Sequence, residues 1–130
     1  MTASAVIYVK SIEPMRRFYS QLLGLQSVTS ADGYCVLESD SVRLSLVTVA
    51  HAIAVTIDIE TPPRRRTNTP IKLAFEVPSI ERARSIAVAL GGQVDPPTTE
   101  WSHGGVIHCD GTDPEGNVVQ LVSLEVPMPQ

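Results

Sequence analysis

Along this chain the spacing of apolar residues switches twice from alternation to a helical period, and the switch is written with nearly the same letters both times. Ala5, Ile7 and Val9 alternate with more polar neighbours, as a strand with one buried face requires; Ile12, Met15, Tyr19 and Leu22 then recur at the spacing of one helix face. Leu73, Phe75 and Val77 alternate likewise, and Ile80, Ala83, Ala87 and Leu90 repeat the helical spacing. Aligning Ala5 on Leu73 without gaps makes Val9, Ser11, Ile12, Glu13, Arg16 and Gly24 coincide with Val77, Ser79, Ile80, Glu81, Arg84 and Gly92. Each Ser-Ile-Glu junction predicts a helix start with the serine as N-cap, and each glycine predicts a helix end that uses positive φ.

Behind each helix the pattern returns to strands. QSVTSAD, GYCVLESD and SVRLSLVTV are short, rich in Val, Leu and Tyr, and divided by Asp-Gly and Ser-Asp turn signals. QVDPP, HGGVIHC and DPEGNVVQLVSL follow the second helix, the last opened by an Asp-Pro and Gly-Asn turn. The predicted fold is therefore α+β, built from two tandem βαβββ modules over residues 1–49 and 71–130 that form one structural domain. The linker over 50–70 has room for one further strand at Ile53–Ile59. A period this long occurring twice is a duplication and not a solenoid.

Composition narrows the function classes. At 130 residues, 43% apolar and 18% charged, the chain has the makings of one packed domain, and a net charge of −4 gives no footprint for nucleic acid. The only basic run, Arg64-Arg65-Arg66, lies between prolines and reads as a solvated loop. Cys35 and Cys109 have no metal-ligand spacing and sit in strand-like runs, where cysteine acts as a small packing residue. With no leader pattern and no long apolar stretch, a cytoplasmic protein is expected, without membrane contact.

Paired βαβββ modules, the phrase YVKSIEPMRRFYSQLLGL and the closing DPEGNVVQL resemble the vicinal oxygen chelate superfamily, which holds glyoxalase I, extradiol dioxygenases, fosfomycin-modifying enzymes and bleomycin-resistance proteins. The resemblance spans nearly the whole chain and implies half-cup mixed sheets, helices packed outside, a ligand cavity between the half-cups and a homodimer. It says little about chemistry, because members share a scaffold and differ in reaction. Metal-using members place their ligands at positions that fall here on Ser4, Ser45, Lys72 and Gln120. None is a His, Asp or Glu, and an ammonium repels a cation, so neither a metal nor another cofactor is expected.

Alternation assigns the cup side of each strand. Ser4, Val6 and Tyr8 face it from the first module, with Arg43, Ser45 and Val47; Lys72, Ala74 and Glu76 face it from the second, with Val118, Gln120 and Val122. Expected ligand contacts are Tyr8, Ser45, Lys72, Trp101, His108 and Gln120. Trp101, in a glycine-rich loop, either stacks on a flat ligand or seals the sheet end. His103 and His108 flank one short strand and by alternation point to opposite faces; with His51 they read as surface or edge histidines, His108 being the better cup-lining donor. Lys72 and Glu76 on one strand are placed for an ion pair. No nucleophile elbow or activated cysteine is present, which leaves Glu76 and His108 as the candidate acid–base residues.

The expected function is metal-independent binding of a small apolar or aromatic molecule, an antibiotic or metabolite, of the kind bleomycin-resistance proteins perform. The alternative is a glyoxalase- or dioxygenase-like lyase, isomerase or oxygenase with a relocated site.

Overall fold

A computed structural model describes residues 3–125. The first module runs β1 (Ala3–Val9), α1 (Ile12–Leu23), β2 (Gln26–Ala31), β3 (Tyr34–Glu38) and β4 (Val42–Thr48). A short helix α2 (His51–Ala54) follows, and then β5 (Leu73–Glu76), α3 (Ile80–Ala89), β6 (Gln93–Val94), β7 (Trp101–His103), β8 (Val106–Thr112) and β9 (Val118–Leu124). The strands form a four-stranded sheet in the order β1-β4-β3-β2 and a five-stranded sheet in the order β5-β9-β8-β6, with β7 paired to β8. β1 runs parallel to β4 and β5 parallel to β9, while all other pairs are antiparallel. This is the duplicated α+β architecture with one helix per sheet.

Period decides which side of each sheet is buried. Val9, Leu44, Leu46, Cys35 and Leu37 pack with Met15, Phe18, Tyr19 and Leu22 of α1; Phe75, Val119, Leu121 and Cys109 pack with Ile80, Ala83 and Ala87 of α3. At roughly 2 kcal/mol per fully buried large apolar side chain, this continuous core is the main favourable term in folding. The opposite faces stay uncovered: Val6 and Tyr8 on β1 are exposed, as are Ala74 and Glu76 on β5. That is the cup side assigned from alternation.

The two halves are joined by polar as well as apolar contacts. α1 lies against α3, and the Glu115 carboxylate accepts from the backbone N–H of Lys10 (2.8 and 2.9 Å) and of Ser11 (2.9 Å), just ahead of α1. Ser11 occupies the N-cap position without a side-chain cap bond, whereas Ser79 accepts from Arg82 N. The expected serine cap thus holds for the second helix only; at the first, a carboxylate from the other module takes over the nearby amides and suits the positive end of the helix dipole.

The linker departs from expectation in two places. No strand forms at Ile53–Ile59, because the amides of Ile53, Ala54, Val55, Thr56 and Ile57 all bond to carbonyls three or four residues back, leaving no ladder to extend. The arginine run is not simply solvated. Arg65 donates from both terminal nitrogens to Asp95 and from Nε to Thr112 Oγ1 (2.9 Å), and Arg66 N bonds Gly116 O at 2.8 Å. Gly116 has φ 90°, and a Cβ there would lie 2.2 Å from Arg64 O, so the DPEGN turn and the linker need each other's backbone. The Asp95 hydrogen bond raises the Arg65 pKa above its ordinary value.

Gly24 ends α1 with φ 65°, as expected. After α3 it is Gly91 that takes positive φ, at 91°. Gly92 serves close packing instead: a Cβ would fall 2.4 Å from the Phe18 ring and 2.5 Å from Thr112 O.

Candidate functional site

The uncovered face of the second sheet carries most of the side chains expected to contact a ligand. Its strands pair so that Glu76 lies opposite Val122, Val122 opposite His108, and His108 opposite Trp101. The next row sets Ala74 beside Gln120 and Gln120 beside Asp110. Directly paired residues project to the same side of a sheet, so these rows form one surface of charged, amide and aromatic groups.

Trp101 is a strand residue and not a loop residue. The Gly104-Gly105 turn, with φ 61° and 78°, folds β7 back on β8 and sets the indole over the His108 ring. The ring centroids are 5.2 Å apart and the planes diverge by 9°, a stacked pair whose indole is still 43% exposed. The same turn overturns the expectation that His103 and His108 face opposite ways. His103 pairs with Val106, and Val106 shares a face with His108, so both histidines project to one side. Alternation along an unbroken strand fails here because the chain reverses between His103 and Val106, which meet as cross-strand partners on one face.

Gln120 lines this surface, as its position among valines requires. Its Oε1 lies 3.1 Å from His108 Nδ1. An amide oxygen only accepts, so the imidazole donates from Nδ1 and, when neutral, keeps its lone pair on Nε2. Lys72 does not pair with Glu76: its ammonium contacts both oxygens of Asp110 (3.1 and 3.2 Å). Diagonal reach across the sheet wins over the same-strand neighbour, and Glu76 is left exposed, its carboxylate in no ion pair among the described residues.

The residues expected from the first module lie apart from this group. Ser45 pairs with Val6 and Val36, and Tyr8 with Val47, on the uncovered face of the first sheet. Tyr8 and Val6 approach the second module at a crevice of about 230 Å³ shared with Ile71, Leu73 and Val118, along the seam between β1 and β5. Among the described residues, five cavities of 160 to 650 Å³ have linings that include none of Trp101, His108, Gln120, Lys72, Glu76 and Ser45. Within a single chain the expected cup is an open platform. One of these cavities, of about 650 Å³, lies on the other side of the sheet, between Ile80, Arg84, Glu100, Ile107 and Ser123.

The residues at the family's metal positions do not fit a divalent ion. Two serine hydroxyls, an amide bonded to a histidine and an ammonium bonded to Asp110 offer no anionic ligand. Among the described residues no group of three or more His, Cys, Asp or Glu is placed to hold a metal. His51 is exposed at the start of α2.

Sequence reasoning missed the tasks of Asp113 and Glu115. Asp113 is fully buried, its Oδ2 taking hydrogen bonds from Tyr19 OH (2.6 Å) and Asn117 Nδ2 (2.8 Å), and its Oδ1 from the amides of Glu115 and Asn117. Burial raises its pKa above the usual carboxylate value, against the pull of those donors. The DPEGN phrase therefore builds the joint between modules. That is why it marks the fold and says nothing of activity.

The comparisons agree with this architecture. The Glyoxalase-like domain family matches residues 4–122, and the chain belongs to that family. A glyoxalase/bleomycin resistance protein/dioxygenase family enzyme from Burkholderia phytofirmans is similar over 93% of this chain and 96% of its own, with TM-score 0.68 and 17% identity. A glyoxalase-related enzyme from Fulvimarina pelagi covers 99% of this chain and 92% of its own, with TM-score 0.63 and 18% identity. A glyoxalase/bleomycin resistance protein from Albidiferax ferrireducens covers 95% and 97%, with TM-score 0.64 and 16% identity. No curated protein matches the sequence. Identities this low carry the fold and not the activity. Among the described residues no helix is long and apolar enough to cross a membrane.

Proposed function

We propose that the chain binds a small, flat organic molecule on the uncovered face of its second sheet, without a metal ion, and sequesters it. The observation that carries this reading is the half-exposed Trp101 stacked on a His108 that Gln120 holds in place. An aromatic cover beside a few oriented polar groups is what a recognition surface for a planar ligand needs. The Lys72–Asp110 pair adds a polarised but nearly neutral border, and the Tyr8–Val118 seam adds apolar contact. The free edge of β2, exposed along its whole length, supports a homodimer, which sedimentation would report as about twice the 14.0 kDa chain mass.

A second reading rests on Glu76, an exposed carboxylate in the same row as His108, and on the likeness of the fold to two proteins described as enzymes. In it, Glu76 or His108 removes a proton from a bound substrate in a metal-free isomerisation. Native mass spectrometry of protein purified without a His tag separates the two. The binding reading expects an organic adduct on the folded chain, recovered unchanged after release. Steady conversion of that compound by fresh protein, abolished by Glu76→Gln, would establish the enzyme.

A further inference from the structure

The orientation of one ring narrows the class of ligand beyond flat and organic. His108 donates from Nδ1 to Gln120 Oε1, and Trp101 lies parallel over its face. The neutral ring therefore turns its only hydrogen-bonding lone pair, on Nε2, to the edge that neither neighbour occupies. A hydrogen bond to that lone pair lies in the imidazole plane, and the indole plane is within 9° of it. A conjugated ring whose own O–H or N–H donates to Nε2 can lie parallel to the indole as well, so the hydrogen bond is compatible with stacking. Gln120 is neutral, so it sets the tautomer without adding a charge to the platform.

We infer that the ligand is a planar molecule bearing a weakly acidic O–H or N–H, of the phenol or imide kind, which it donates to His108 Nε2. This rests on the platform reading above and names its chemistry. Gln120 acts as a positioning residue, through His108, and selects donors over acceptors at that edge.

Two measurements test it on the intact protein at pH 8. Long-range nitrogen–proton NMR of ¹⁵N-labelled protein reports the tautomer: the expected result is a proton on Nδ1 of His108, and a proton on Nε2 alone would overturn the inference. Titration of Trp101 emission with 1-naphthol and with 1-methoxynaphthalene, whose methyl group replaces the donated proton, should show the naphthol binding about tenfold tighter, the worth of one hydrogen bond in a half-buried site. Gln120→Glu, which keeps an acceptor for Nδ1, should retain the preference, and Gln120→Leu should lose it. Equal binding of the two probes overturns the inference and leaves the platform reading standing. Failure of both probes to bind overturns the two together.

Discussion

Tyr19 and Asp113 are 94 residues apart in the chain and 2.6 Å apart in the fold, hydroxyl to carboxylate, both fully buried. The contact joins α1 of the first module to the closing turn of the second, and Glu115 reinforces it two residues on by holding the amides ahead of α1. Removing the hydroxyl leaves a buried carboxylate oxygen one donor short. Tyr19→Phe should lower unfolding free energy in urea by about 1.5–3 kcal/mol, the range for hydrogen bonds to charged groups, with an unchanged far-ultraviolet spectrum.

The same carboxylate sets a pH dependence. Burial holds the Asp113 pKa above its ordinary value in the folded protein, so the folded state binds this proton more tightly than the unfolded chain. Its contribution is fully present below the ordinary carboxylate pKa and is lost as pH rises through the raised folded value. The stability of the wild type relative to Asp113→Asn should therefore improve as the pH is lowered from 7 to 4.5, measured by urea unfolding at each pH. Glu13, whose hydrogen bond from Arg16 lowers its pKa, acts in the opposite direction. The comparison between variants cancels that term.

Arg65 should matter to stability although its neighbours in the run do not. Its guanidinium ties the linker to Asp95 and Thr112 in a half-buried setting. After allowance for solvent screening, Arg65→Ala should cost about 1 kcal/mol, while Arg64→Ala, at an exposed position, should stay within about 0.5 kcal/mol of the wild type. Thermal melts of the two variants check the contrast.

Legibility in the sequence followed the range of each interaction. Alternation at Leu44, Leu46, Val119 and Leu121 and the helical spacing at Met15 and Tyr19 are local, and they named both the core and the uncovered faces correctly. Gln120 was placed on the open face for the same reason. What local pattern cannot carry is a partner chosen across the fold. Ser11 reads as a cap because Glu115 is remote in sequence, and alternation matches Lys72 with Glu76 because Asp110 belongs to another strand. Arg65 read as solvated because nothing nearby names Asp95. Gly92 read as a helix terminator, since only the fold brings Phe18 against it. The histidine faces escape local alternation because a turn of two glycines reverses the chain and makes His103 and Val106 partners on one face.

The central claim is that the Trp101, His108 and Gln120 surface binds a flat ligand without a metal. Its most direct test is the emission of Trp101, the single tryptophan in the chain, followed while planar aromatic compounds are added in the presence of EDTA. At least one compound of a varied panel should change the emission saturably and to the same extent with and without chelator. Replacing Gln120 by Leu should weaken that binding by about 1–3 kcal/mol. A panel that leaves Trp101 unchanged, or a response that appears only when a divalent ion is supplied, would contradict it.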